Sequence, residues 1–198
     1  MALEDEAERI GGEFNIEIDV YGFDTGHGLP KPEDYRDLPY RFEENMFSMD
    51  FDKLSKKLKF AKLVIGDLKE TIKTFVEQYQ PAPIAAVMND TDLYSSTIAS
   101  FRLYDANEKY FLPRIFNYFD DINGWMGDEF YNNFTGERLA IGEFNDKHKM
   151  KKFSQQYHLL AQYKQEPWYS QIYVLHLFDH PDYNNFVCTK NRQLPLEI

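Results

Sequence analysis

Short apolar runs alternate along this chain with longer segments of helical periodicity, and acids stand where several of the runs end. The β-like runs cover residues 15–24, 62–66, 83–88, 112–119, 171–178 and 185–188. In the first, Ile16, Ile18 and Val20 alternate with polar residues, whereas the run 83–88 is Pro-Ile-Ala-Ala-Val-Met, apolar throughout. Runs of the second kind suit strands buried on both faces of a parallel sheet. Between the runs, Leu68, Ile72, Phe75, Val76 and Tyr79 fall at i, i+4, i+7, i+8 and i+11, one apolar stripe of a helix. Phe51, Leu54 and Leu58 form another stripe behind Asp50, a candidate cap. Residues 96–104 and 147–163 also read as helical, and 1–14 as a short helix ending at Gly11-Gly12. Strand–helix alternation at this spacing predicts βαβ units and a doubly wound, mostly parallel α/β sheet of Rossmann type. The stretch 26–40, rich in Pro, Asp and Gly, reads as a long loop, and loops of that length often carry function.

At 198 residues the chain is long enough for one domain with a sizeable core, and 17 Phe with 14 Tyr supply an aromatic-rich interior. A net charge of −11 repels phosphate backbones and anionic lipids, so neither nucleic acid nor membrane is an expected partner. The basic group Lys147, His148, Lys149, Lys151 and Lys152 reads as the solvated face of a helix. Cys188 is the single cysteine, which excludes an internal disulfide and cysteine-rich zinc sites. With an acidic N-terminus and no apolar run approaching ~20 residues, a cytoplasmic protein acting on a small molecule is expected.

The acids carry the functional signal. Asp24 ends the first run, Gly66-Asp67 the second, Asp90 and Asp92 follow the third, and Asp120-Asp121 the fourth. In an open parallel sheet the C-terminal strand ends share one rim, and ligands bind there. Any one Asp after a strand is usually a turn residue or a helix cap, but their recurrence at successive strand ends marks a candidate site. Asp90, Asp120 and Asp121 would suit a hard cation such as Mg²⁺, which takes oxygen ligands and keeps several waters.

These residues resemble a known family. The run Val20-Tyr-Gly-Phe-Asp-Thr-Gly-His-Gly-Leu-Pro30 is similar to the signature after the second strand of the macrocin O-methyltransferase family, which has the class I methyltransferase fold. Asp90-Thr-Asp-Leu-Tyr-Ser-Ser-Thr97 resembles that family's Asp-x-Asp-Leu-Tyr-x-Ser-Thr motif, and Phe119-Asp120-Asp121 its paired aspartates. Order and spacing agree over roughly residues 16–145. The resemblance implies that Asp24 bonds the ribose of S-adenosylmethionine and that Gly66 and Asp67 lie beside its adenine. It implies that Asp90, Asp120 and Asp121 hold Mg²⁺ or another divalent cation, and that Asp92 is the general base toward a hydroxylated acceptor, a sugar among the candidates. The family's aromatic after Asp-Ser/Thr is here Gly26-His27, which makes His27 a candidate substrate contact.

The family also opens with a central strand and a glycine-rich turn that grips the cofactor. Residues 1–14 read as neither, so the expected domain (1–14 short helix, 15–145 family-like core, 146–198 C-terminal helix and strands) is N-terminally incomplete. The runs 15–24 and 83–88 should then flank the place of the central strand, and unpaired edges there would favour a homo-oligomer. Two other functions fit the residues. One is a non-catalytic or truncated methyltransferase-like module. The other is a metal-dependent nucleotide-sugar glycosyltransferase using Asp90-Thr91-Asp92 as its Asp-x-Asp. His176, Asp179 and His180 offer a possible His/Asp/His site, for which structural hydrogen bonding is the preferred reading.

Overall fold

The computed structural model describes residues 2–123, 131–162 and 166–185. Helix α1 (Ala2–Phe14) leads into strand β1 (Tyr21–Asp24), and a long loop and the short helix α2 (Phe51–Ser55) lead to β2 (Lys62–Ile65). Then follow α3 (Leu68–Tyr79), β3 (Ile84–Asn89), α4 (Tyr94–Ser100), β4 (Phe111–Phe119), α5 (Gly136–Lys147), β5 (Lys151–Gln155) and β6 (Ile172–Leu177). Asp50 caps α2 by accepting from the Lys53 amide, and the stripe on α3 buries Ile72, Phe75 and Val76 as its periodicity predicts.

The strands form two sheets. β1 and β2 pair in parallel, and the second sheet runs β3-β4-β6-β5. β3 and β4 are parallel, while β6 lies antiparallel between β4 and β5. The α/β class holds, but the parallel character is confined to the first four strands. The difference comes from residues 147–163, which are not one helix. Helix α5 ends at Lys147, and 151–155 is a strand. Phe153 drives that outcome, because its ring lies 4.9 Å from Phe101, 4.9 Å from Phe144 and 5.5 Å from Phe119 in the aromatic core. The Asn145 amide fixes the strand to α5, accepting from Phe153 N at 2.8 Å and donating to Phe153 O at 2.9 Å. Lys151 and Lys152 are therefore strand residues, and the basic group is not one helical face.

The first strand is shorter than its alternation suggested. Asn15 takes a left-handed conformation (φ 52°), and Ile16 N–H donates to Gly11 O at 3.1 Å, closing α1 beyond the two glycines. Residues 16–20 carry no strand assignment, and the first bond to β2 is Lys62 N donating to Val20 O at 2.9 Å. The run 185–188 and Cys188 lie almost wholly outside the described residues.

Among the described residues, no strand pairs with the second edge of β1 or of β3. Phe75 of α3 packs edge-on against Tyr21 and Phe23, each at 5.0 Å, so the helix crosses over β1 on its way from β2 to β3. The two sheets are joined instead by side chains: Val64 and α3 share one core cluster with Ile115, Phe119 and Leu175. One face of the strands is also bare, with Phe116 57% and Met88 50% exposed.

The N-terminal helix docks through its carboxylates: Asp5 and Glu8 accept from Lys59 Nζ at 2.9 and 2.7 Å, and Glu4 is the buried one. Glu4, 1% exposed, accepts from the amides of Lys59, Phe60 and Ala61 at 2.8–2.9 Å, just before β2. Those bonds hold its carboxyl at about 2, well below the usual 4.5. Its contribution is present above pH 4.5 and is lost as pH falls toward 2. Glu4→Gln is expected to lower the melting temperature at pH 7 and to flatten the acid limb of a stability–pH profile. An unchanged limb would show that α1 docks by other means. The unpaired edges and bare apolar face should make the chain self-associate with rising concentration, measured by sedimentation velocity. Phe116→Glu is expected to weaken that association.

Candidate active site

β1 and β2 end side by side, as do β3 and β4, and the predicted acids stand at or just after those ends. Asp24 and Ile65 are register partners on β1 and β2, and Gly66 N donates to Asp24 O at 2.9 Å. Asp24, Gly66 and Asp67 are therefore neighbours. The Asp24 carboxylate turns the chain by accepting from Gly26 N at 2.6 Å, and Asp67 caps α3 by accepting from Lys69 N at 2.8 Å. Gly66 has φ 143°, and a Cβ there would meet Thr71 Cγ2 at 2.9 Å, so this bend needs glycine. His27 lies exposed in the turn after β1, its N–H donating to Thr25 Oγ1.

The second group follows β3 and β4. Oxygens of Asp90, Asp92 and Asp121 lie within 4.8 Å of one another, a geometry that can hold a cation. The turn that achieves this is unusual. Asp92 has φ 54°, a left-handed conformation costly for most residues but tolerated by Asp, and its N–H donates to Asp121 Oδ2 at 3.0 Å. The chain reversal, rather than a continued strand, turns Asp90 and Asp92 toward Asp121. Asp120 is set apart from this trio, because its Oδ1 accepts from Tyr118 OH at 2.5 Å.

Electrostatics agree with crowding. Burial, followed by Asp121, Asp90 and Asp120, pushes Asp92 from 3.8 to about 7, with Arg41 opposing. Burial, then Asp120 and Asp90, pushes Asp121 to about 6. Burial and Asp120 raise Asp90 as well.

Three contributors carried no recognisable sequence signal. Glu137, at the start of α5, is 0% exposed. Its Oε2 accepts from Asp121 N–H at 2.8 Å, and its Oε1 has no hydrogen-bond partner. Burial above all, with Asp121 next, raises its carboxyl well above the usual range. Tyr131 donates its hydroxyl to Asp121 Oδ1 at 3.3 Å, and the Arg41 guanidinium lies 5.3 Å from the Tyr131 ring centroid. Arg41 stands one residue beyond the loop delimited from composition.

The C-terminal histidines bond within their own segment. His176 Nδ1 bonds Tyr183 OH at 2.7 Å, and His180 Nδ1 accepts from Asp182 N at 3.1 Å. Among the described residues no helix is long and apolar enough to cross a membrane.

No protein-family model matches the sequence, and no curated protein matches it. The fold is similar to the crystal structure of CalS11, a calicheamicin methyltransferase, with a TM-score of 0.55 and 18% identity. The match covers 86% of this chain and 66% of that one. The chain thus has a methyltransferase-like α/β fold.

The crowded acids set a pH dependence. Asp92 and Asp121 ionise at 3.8 when unfolded but only at about 7 and about 6 when folded. Below pH 3.8 both states are protonated and nothing is lost. Between 3.8 and about 7 the folded state binds more protons, so stability falls as pH rises. Urea titrations from pH 4 to 8 without metal are expected to show that decline, and Asp92→Asn to flatten it. A flat wild-type profile would mean that the carboxylates do not repel one another as placed.

Proposed function

We propose that this chain is an S-adenosylmethionine-dependent, divalent-metal-assisted O-methyltransferase domain for a hydroxylated small molecule. The observation that carries the reading is the trio Asp90, Asp92 and Asp121, gathered within 4.8 Å at the C-terminal rim of a methyltransferase-like sheet. The donor set fits a hard cation: carboxylate oxygens alone, raised in pKa first by burial and then by neighbouring acids, Asp120 included, a cost that a bound positive charge would relieve. A bound Mg²⁺ or related ion would lower the pKa of an acceptor hydroxyl. Asp90 and Asp121 are assigned to hold the ion, with Asp120 within one peptide of it. Asp92, the second acid of Asp90-Thr91-Asp92, is assigned the acceptor's proton by the family resemblance.

For the cofactor, Asp24 is assigned to the ribose hydroxyls and Gly66-Asp67 to the adenine side, at the neighbouring strand ends. When bound, the sulfonium supplies an already activated methyl group, so the chain's task is alignment and proton removal. Among the described residues no strand with a glycine-rich turn pairs with the open edges of β1 and β3. Weak cofactor affinity is accordingly part of the proposal, and it keeps a non-catalytic module as the second reading. The localisation proposed is cytoplasmic.

A melting series with Mg²⁺ and Mn²⁺ tests the metal half. Stabilisation of about 2.7 kcal/mol is expected at a hundredfold excess over the dissociation constant. Asp121→Asn should abolish it, whereas Asp92→Asn should keep it and lose methyl transfer. Should Asp92→Asn also abolish it, Asp92 is a ligand and not the base. S-adenosylhomocysteine titrated by calorimetry tests the other half: weak binding that disappears in Asp24→Ala is expected, and binding of a nucleoside diphosphate with Mn²⁺ instead would favour glycosyl transfer.

A further inference from the structure

The turn that carries Asp120 and Asp121 does not support itself. It is a single 3₁₀ turn (Asp120–Ile122) entered from Phe119, which offers no side-chain cap, and Asp121 within it departs from helical geometry at φ −95° and ψ 23°. Its backbone groups need partners from elsewhere, because an N–H or C=O left unpaired away from water is costly. Two consecutive residues at the start of α5 supply them. Glu137 Oε2 accepts from Asp121 N–H at 2.8 Å. Arg138 Nε donates to Ile122 O at 2.6 Å, and its Nη2 reaches Asn123 Oδ1 at 3.1 Å. An acceptor and a donor side by side thus hold the turn through its N–H and its C=O.

Of the two, Glu137 acts closer to the acids. Arg138 is half-buried and holds the far end of the turn, whereas Glu137 is 0% exposed and its bond ends on the peptide of Asp121 itself. The Asp121 carboxylate carries the linkage onward, its Oδ2 accepting from Asp92 N–H at 3.0 Å and its Oδ1 from Tyr131 OH at 3.3 Å. Asp92 holds a left-handed φ of 54°, so the bond to Asp121 helps keep it in a costly conformation. Two hydrogen bonds therefore run in series from Glu137 through Asp121 to Asp92. Seating α5 does not require them, because Ala140, Ile141 and Phe144 already bury that helix in the core. Keeping a carboxyl at 137 also has a cost, since Oε1 is buried with no hydrogen-bond partner among the described residues.

We propose that Glu137 is a positioning residue of the acid site, whose bond to Asp121 N–H sets where Asp121, and through it Asp92, stands. This rests on the metal-assisted reading of Asp90, Asp92 and Asp121, and it gives a role to a residue that this reading leaves unused. Glu137 acts through the Asp121 peptide and not by touching an ion. The requirement at 137 is then an acceptor oxygen of this reach, which glutamine shares and methionine lacks.

Glu137→Met and Glu137→Gln in the full chain separate this role from a purely structural one. Calorimetric Mg²⁺ affinity is expected to fall at least about tenfold in Glu137→Met, the scale of one hydrogen bond lost at a buried group, and to recover most of that in Glu137→Gln. Hydrogen exchange at Asp121 N–H, followed by NMR without metal, should quicken in Glu137→Met and stay near wild type in Glu137→Gln. The proposal is overturned if Glu137→Met lowers only the melting temperature, leaving Mg²⁺ affinity and Asp121 exchange unchanged, or if Glu137→Gln is as impaired as Glu137→Met. Should Glu137→Met not fold, Glu137→Gln decides alone: wild-type exchange at Asp121 upholds the proposal, and quickened exchange despite the retained oxygen overturns it. If the wild-type chain takes up no Mg²⁺, the metal reading fails on its own. Asp121 exchange that quickens in Glu137→Met then still upholds the positioning, and unchanged exchange overturns it.

Discussion

The two sheets of this protein are joined by side chains, and the site depends on that joint. A backbone ladder between neighbouring strands fixes their spacing through repeated hydrogen bonds, but β1 and β3 share none among the described residues. Three other connections take over the task. Helix α3 bridges from β2 and packs Phe75 on β1. The core cluster runs from Val64 on β2 to Leu175 on β6. The long loop after β1 returns across the rim to fasten Asp37 and Leu38 against the start of α4. Such connections hold apolar faces together more firmly than they fix distances at a rim.

That division has a functional side. The residues assigned to the cofactor stand on β1 and β2, whereas the carboxylate trio stands on β3 and β4. The long loop after β1 also touches both halves, through Glu33 with Lys69 and Asp37 with Ser95. Its anchor is Leu93, adjacent to Asp92, so the position of the proposed base and the position of the loop are set by one apolar contact. Losing that contact would disturb both at once, because a buried Leu contributes on the order of 2–5 kcal/mol against truncation to Ala.

Much of this was legible in the sequence, for identifiable reasons. The first four strands and α3 were readable because apolar runs and a helical stripe report burial directly, and the acids were readable because they fall where those runs stop. The run 151–155 was not, since Lys-Lys-Phe-Ser-Gln has no strand pattern beyond a single aromatic, and Phe153 becomes decisive only when Phe101, Phe119 and Phe144 surround it. The grouping of Asp92 with Asp90 and Asp121 rested on a left-handed residue that composition does not announce. Glu137 was invisible for another reason. A Glu near a helix start ordinarily faces water as a favourable partner for the helix dipole, and only the tertiary fold buries this one.

Glu137 also bears on what the acids are for. A fully buried carboxyl with one oxygen unpartnered is costly to keep, and a glutamine could offer an oxygen to the same Asp121 amide without a titrating group. What glutamine could not do is change charge. Burial and the charge of Asp121 both favour its protonated form, and a nearby positive charge would favour the ionised one. Helix capping or turn formation gains nothing from that property, since Asp50 and Asp67 cap their helices without any such neighbour being needed. The cost is intelligible if the rim must accept a cation and release it, with the acid layer adjusting its own charge to match.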